Sequence, residues 1–345
     1  MVSTSYRPEL DGIRAICIIF TVCNHIHGTP RFIDGSVGVD IFFALSGWLI
    51  TWLLLVEGLT CQCTDLRGFY IRRVFRIMPL YYLTLLLYFC AALTMTIAKR
   101  GGNDLADFQR VFVYLVTFNS EYRPSGTIFG QAWTLGIEEK FYILWPLALV
   151  VWRRAPLTIV ALGLATTILL TLQSPIPTFQ IRGYVGLGAG AAMAVCAFRS
   201  ARFRCVLNFA APWSLLALVG SYALVLMGGR AFNVLLSVSG AFLVASVWFR
   251  RDQFIAKVLA TTPLAYVGRL TYAVYLTHVL VINALEVMFG SLLLPWSVKV
   301  LIAYAGSLAV AAFLHKTVEK YFIAIGKRLA IRSRIIQQEA MSTPS

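Results

Sequence analysis

A chain of 345 residues that is 59% hydrophobic, only 13% charged and of mean hydropathy +0.76 is far too apolar to be a water-soluble globular domain. A net charge of +15 would suggest nucleic acid if Lys and Arg formed a patch, but they stand in short clusters between long apolar runs, as in membrane proteins. The seven cysteines show no metal-ligand spacing and are expected to be inert thiols, so neither a metal nor a nucleic-acid partner is predicted.

The first apolar run covers residues 13–28 and follows Arg7 and Arg14 without a small-residue cleavage site, so it reads as a retained first helix. Arg14 and His25 are eleven residues apart, three helical turns plus about 20°, and so share a stripe roughly 16 Å long. A ligand with an anionic head and a long arm could engage both; alternatively Arg14 anchors the helix and His25 is interfacial. The second run, 36–56, opens with Asp40, which a short turn could bring to His25 to fix the tautomer of its ring, or which could cap its own helix. The third, 78–98, is entered through Arg72, Arg73 and Arg76. Arg73 and Arg76, three apart, face the same way on a helix and suit a bidentate grip on phosphate, although membrane-flanking charge is the plainer account.

Val111 to Phe118 is too short to span and is expected to be re-entrant or interfacial. The run 136–152 begins after Trp133. It carries Glu138, Tyr142 and Trp145 on one face, and Glu138 either pairs with Lys140 or an Arg or orients a reacting group. Runs follow at 156–173, 180–198, 212–228, 231–249, 267–289 and 298–315. Gly186 and Gly190 predict close helix approach. Thr271, Tyr275 and His278 form a polar stripe suited to bonding between helices or to chemistry.

The predicted fold is all-α, a polytopic bundle of about ten transmembrane helices, with the N- and C-termini cytoplasmic because that orientation gathers every dense basic cluster on one side. Residues 1–325 form the membrane domain and 326–345 a basic cytoplasmic tail; no soluble domain is expected beside them.

Together, five segments in register resemble acyltransferase family 3, integral-membrane enzymes that O-acylate surface glycans: LDGIR at 10–14 through His25, GVDIFFALSG at 38–47, RVFRIMP at 73–79, WTLGIEEKFY at 133–142 and TYAVYLTH at 271–278. Thr134 and Thr271 stand where the family usually has Ser. The resemblance implies that His25 is the catalytic histidine and that Arg14, Arg73 and Arg76 bind acyl-CoA. On this expectation acetyl-CoA is the donor substrate, no cofactor is permanently bound, and the acceptor is a surface polysaccharide, glycolipid or other lipid-linked saccharide outside the cell (inner) membrane. His25 would be a general base oriented by Asp40 or Glu138, or would itself carry the acyl group, with Trp133, Tyr142, Tyr275 and His278 in support. This expectation requires one extended thioester to touch both Arg14 and His25. A proton-coupled transporter or a non-catalytic glycan-export subunit is the alternative.

Overall fold

In a computed structural model the described residues are 6–60, 64–98, 104–123, 128–151, 156–158, 161, 163, 178–228, 232–290, 292 and 294–342. Among them the chain is helical and contains no strand. The helices are α1 (Pro8–Asn24), α2 (Ser36–Thr60), α3 (Leu66–Ile97), α4 (Asp104–Val116), α5 (Trp133–Val151), α6 (Thr178–Arg199), α7 (Ala201–Ala210), α8 (Ser214–Gly228), α9 (Asn233–Phe249), α10 (Phe254–Leu259), α11 (Thr262–Phe289), α12 (Trp296–Leu314) and α13 (Lys320–Ser342). Five helical stretches are long and apolar enough to cross a bilayer: 36–59, 66–97, 201–227, 262–289 and 296–335. The run expected at 156–173 falls mostly outside the described residues.

Two apolar clusters meet on α1. Ile18 and Val22 pack with residues of α3, α4, α11 and α12, while Leu10, Ile13 and Cys17 pack with residues of α2, α6 and α9. This central position is possible because small residues line the contacts. A side chain at Gly268 would collide with the Asp11 carbonyl, one at Gly12 with that of Leu259, and one at Gly38 with that of Cys17. Gly190 lies equally close to the Ala44 carbonyl of α2, and Gly186 closes on Phe43, as their spacing suggested. On the outside large apolar side chains such as Leu86, Leu144, Val219, Leu301 and Phe313 are exposed, which suits a surface whose solvent is lipid.

Val111 to Val116 belongs to the 13-residue α4, which begins with Asp104 and Asp107 in its first turn and buries Phe108, Val111 and Leu115 on one face. At about 1.5 Å per residue it is too short to span. The chain then reverses through Phe118 and Phe129, both at positive φ (54° and 50°). Stacking holds these unfavourable conformations: Phe118 lies on Tyr81 at 4.3 Å and Phe129 on Tyr88 at 4.5 Å between ring centroids.

One end of the bundle is tied by charge. Arg251 bonds Glu9 at 2.8 Å, Arg7 reaches the Trp248 carbonyl, and Arg72 lies between Glu57 and Asp65. At the opposite end the loop between α1 and α2 is tied by neutral bonds, with Trp296 donating to Thr29 at 3.0 Å and Tyr222 to the Phe32 carbonyl. After α12 a π-helical turn, His315–Glu319, leads into α13, which lies along α3 with Gly326 against Phe75 and runs through position 326 without a break.

Candidate active site

One cavity lies inside the bundle and a second opens at its far end. The inner one, about 580 Å³, opens at the charged end and is lined among others by Arg14, Arg73, Arg76, Glu138, Tyr142 and Tyr275. The outer one, about 490 Å³, lies under the loop from α1 to α2 and is lined by His25, His27, Arg31, Asp34 and Glu286 among others.

The inner cavity is cationic. Arg14 is held by Asp11 at 2.7 Å and His315 by Glu319 at 2.7 Å, but Arg73, Arg76 and Lys327 have no carboxylate at ion-pair distance among the described residues. Arg73 instead lies over the Tyr142 ring, 4.8 Å from its centroid. Glu138 accepts from Ser46 Oγ at 2.8 Å, and Tyr142 donates to the same hydroxyl at 3.3 Å; Trp145 donates to Thr51 at 2.7 Å. The face of α5 read from the sequence is therefore fastened to α2. Its neighbour Lys140 does not pair with Glu138: it binds Glu121 and the Phe118 carbonyl, because it projects from α5 toward the α4–α5 turn.

Side chains of α11 and of the Gln131–Thr134 turn stand between the two cavities. Tyr275 donates to the Gln131 carbonyl at 2.8 Å and shares a 2.6 Å hydrogen bond with Thr134, while Gln131 donates to Tyr88 at 2.8 Å. The buried His278 ring follows, 5.9 Å from that of Tyr275 and 4.8 Å from that of His25, the last two edge to face. The order from the inner cavity to the outer is Tyr275, His278, His25.

Three expected pairings with His25, those of Arg14, Asp40 and Glu138, are corrected by this geometry. Arg14 and His25, although on one helix stripe, line different cavities, because α11 and the Gln131–Thr134 turn insert side chains between them. Asp40 does not reach His25; it is fully buried with Arg182 of α6 at 3.3 Å. Gly38 is the residue of α2 that faces α1, and two residues at about 100° each turn Asp40 to the far side. Glu138 likewise lies at the inner cavity, away from His25. Trp133 packs on Phe43 instead of lining either cavity. Gln131, Ser46 and Arg182 were not singled out in the sequence, because an uncharged or membrane-flanking residue gives no signal until its partner is known. Among the described residues no three His, Cys, Asp or Glu side chains gather as a metal-binding set.

Apolar helices that bury a polar core with a cationic cavity and an imidazole pair define an integral membrane protein with a polar site inside its bundle. Comparison with known sequences gives the particular family: residues 7–316 match the acyltransferase domain family, and the chain belongs to acyltransferase family 3. It is 30% identical over 313 residues to the peptidoglycan O-acetyltransferase OatA of Listeria monocytogenes, covering 80% of this chain and 49% of that protein. It is 34% identical over 159 residues to the O-acetyltransferase OatA of Staphylococcus aureus, covering 43% of this chain and 26% of that protein. The chain thus spans half or less of the length of these relatives. No solved structure matches it.

Proposed function

We propose that this protein is a membrane O-acetyltransferase that moves an acetyl or similar short acyl group from acyl-CoA to a hydroxyl of a cell-surface glycan. The observation that carries the reading is the convergence of an arginine-lined cavity and a histidine-lined cavity on the Tyr275–His278–His25 layer. Family membership and the names of the relatives support it, and peptidoglycan, the polymer named for the Listeria relative, is the acceptor class it favours.

The bundle sits in the cell (inner) membrane with ten crossings and both termini cytoplasmic, so that the ionic end and the inner cavity face the cytoplasm. Arg73, Arg76 and Lys327 hold the phosphates of acyl-CoA, for which unpaired cations in a confined space are suited. The acyl end of the pantetheine arm reaches the layer at Tyr275, and displacement of that side chain opens a path past the edge of the His278 ring to His25. There the His25 imidazole takes the proton of the acceptor hydroxyl as its oxygen attacks the thioester carbonyl. The C–S bond breaks, and the departing CoA thiolate takes the proton back. A two-step route in which His25 first carries the acyl group uses the same residues.

The test is transfer of labelled acetyl from acetyl-CoA to peptidoglycan or a lipid-linked saccharide in sealed membranes. His25→Ala is expected to abolish labelling while the protein remains inserted and monodisperse in detergent. Full labelling by that variant would remove His25 from the reaction.

A further inference from the structure

His25 has lost the carboxylate partner expected for it, yet its ring is held, and the atoms that hold it determine where its proton sits. Helix α1 ends by tightening: His25 N–H donates to the Val22 carbonyl and Ile26 N–H to that of Cys23, both three residues back. The Thr21 carbonyl, freed of its usual partner four residues on, lies 2.9 Å from His25 Nδ1. A carbonyl only accepts, so this contact places a hydrogen on Nδ1.

The second contact is His278 Nε2, 3.3 Å from the same His25 Nδ1. His278 Nδ1 lies 2.8 Å from the Tyr275 carbonyl and 3.1 Å from that of Val274, so its hydrogen is on Nδ1. Were Nε2 also protonated, two N–H groups would confront each other at His25 Nδ1. His278 is therefore neutral with a bare Nε2, and it shares the single His25 Nδ1 hydrogen with the Thr21 carbonyl. The neutral His25 ring has one hydrogen, already assigned, so its Nε2 lone pair is left on the exposed edge at the outer cavity.

We propose that His278 is a positioning residue that, with the Thr21 carbonyl, fixes His25 as the Nδ1–H tautomer and so presents the His25 Nε2 lone pair to the acceptor. Its role is the one a carboxylate fills in Ser-His-Asp sites, performed by a neutral acceptor that brings no charge into the membrane interior. The use of that lone pair in acyl transfer rests on the proposed function; the tautomer does not.

The chain has only four histidines, so nitrogen-15 histidine NMR of the whole protein in bilayers at about pH 8, above the ordinary histidine pKa, resolves them, with His25→Ala identifying the signal of interest. The expected result is His25 with Nδ1 protonated and Nε2 bare. A wild-type His25 with Nε2 protonated would overturn the proposal whether or not the protein transfers acyl groups. His278→Leu removes one of the two acceptors, leaving only the Thr21 carbonyl, and is expected to shift part of the His25 population toward the Nε2–H form that imidazole prefers in water. Acetyl transfer should fall about a hundredfold in kcat, the lower end of what a general base supplies, with KM for acetyl-CoA little changed. His278→Gln offers an amide oxygen at nearly the same place and should keep the tautomer and recover at least about tenfold of that loss. His278→Leu with wild-type tautomer and turnover would also overturn it.

Discussion

Among the described residues Arg76 projects into the inner cavity with no carboxylate at ion-pair distance, and Arg73 beside it lies over the faces of Tyr142 and Phe69. Such groups are costly in a bundle interior unless a ligand compensates them. If the ligand is acyl-CoA, each charge-assisted bond is worth about 1.5–3 kcal/mol, so Arg73→Ala and Arg76→Ala should each raise KM for acetyl-CoA about tenfold or more. The kcat should change much less, which steady-state kinetics in membranes would report; an unchanged KM in the double variant would move the nucleotide elsewhere. The arginine pair was legible in the sequence because a spacing of three fixes a shared face, and both do line one space. The partners of Asp40 and Lys140 were not. Spacing gives direction around a residue's own helix, whereas Arg182 and Glu121 are brought up by other segments.

At the scale of elements, the His25–His278 contact depends on how closely α1 and α11 approach, and Gly268 sets that approach by resting on the Asp11 carbonyl. Gly268→Val should force the helices apart, costing about 1–3 kcal/mol and lowering the unfolding temperature in detergent. It should also reduce acyl transfer although Gly268 touches no reacting group. Gly220→Val, at a glycine with open space beside it, is the control expected to leave both unchanged. If Gly268→Val behaved like the control, the packing account of the imidazole contact would be wrong. Most apolar runs in the sequence became helices because backbone polar groups at membrane depth must be paired within the chain. The first turns of α3 and α11 escaped a hydropathy reading because residues such as Arg67, Arg72 and Tyr266 interrupt the apolar run without interrupting the helix.

For the whole molecule, the charged bonds at one end and the neutral ones at the other agree in sense with the clustering of Lys and Arg along the sequence. Arg31, at the outer cavity, and Asp252, beside Arg250, mark the two ends. Single cysteines placed at 31 and 252 in a cysteine-free background should react with an impermeant maleimide from opposite sides of sealed vesicles. Labelling of both from one side would refute the ten-crossing topology with cytoplasmic termini. The bundle also has an electrical consequence. If water fills both cavities, then in a bilayer that the bundle spans the transmembrane voltage falls mainly between Tyr275 and His25, across the three rings of Tyr275, His278 and His25. A unit charge driven through that layer would exchange about 2.3 kcal/mol with each 100 mV. Neutral, hydrogen-bonded rings there give the field nothing to pull on, and the residues that meet at the proposed reaction centre also insulate the cell against ion leakage.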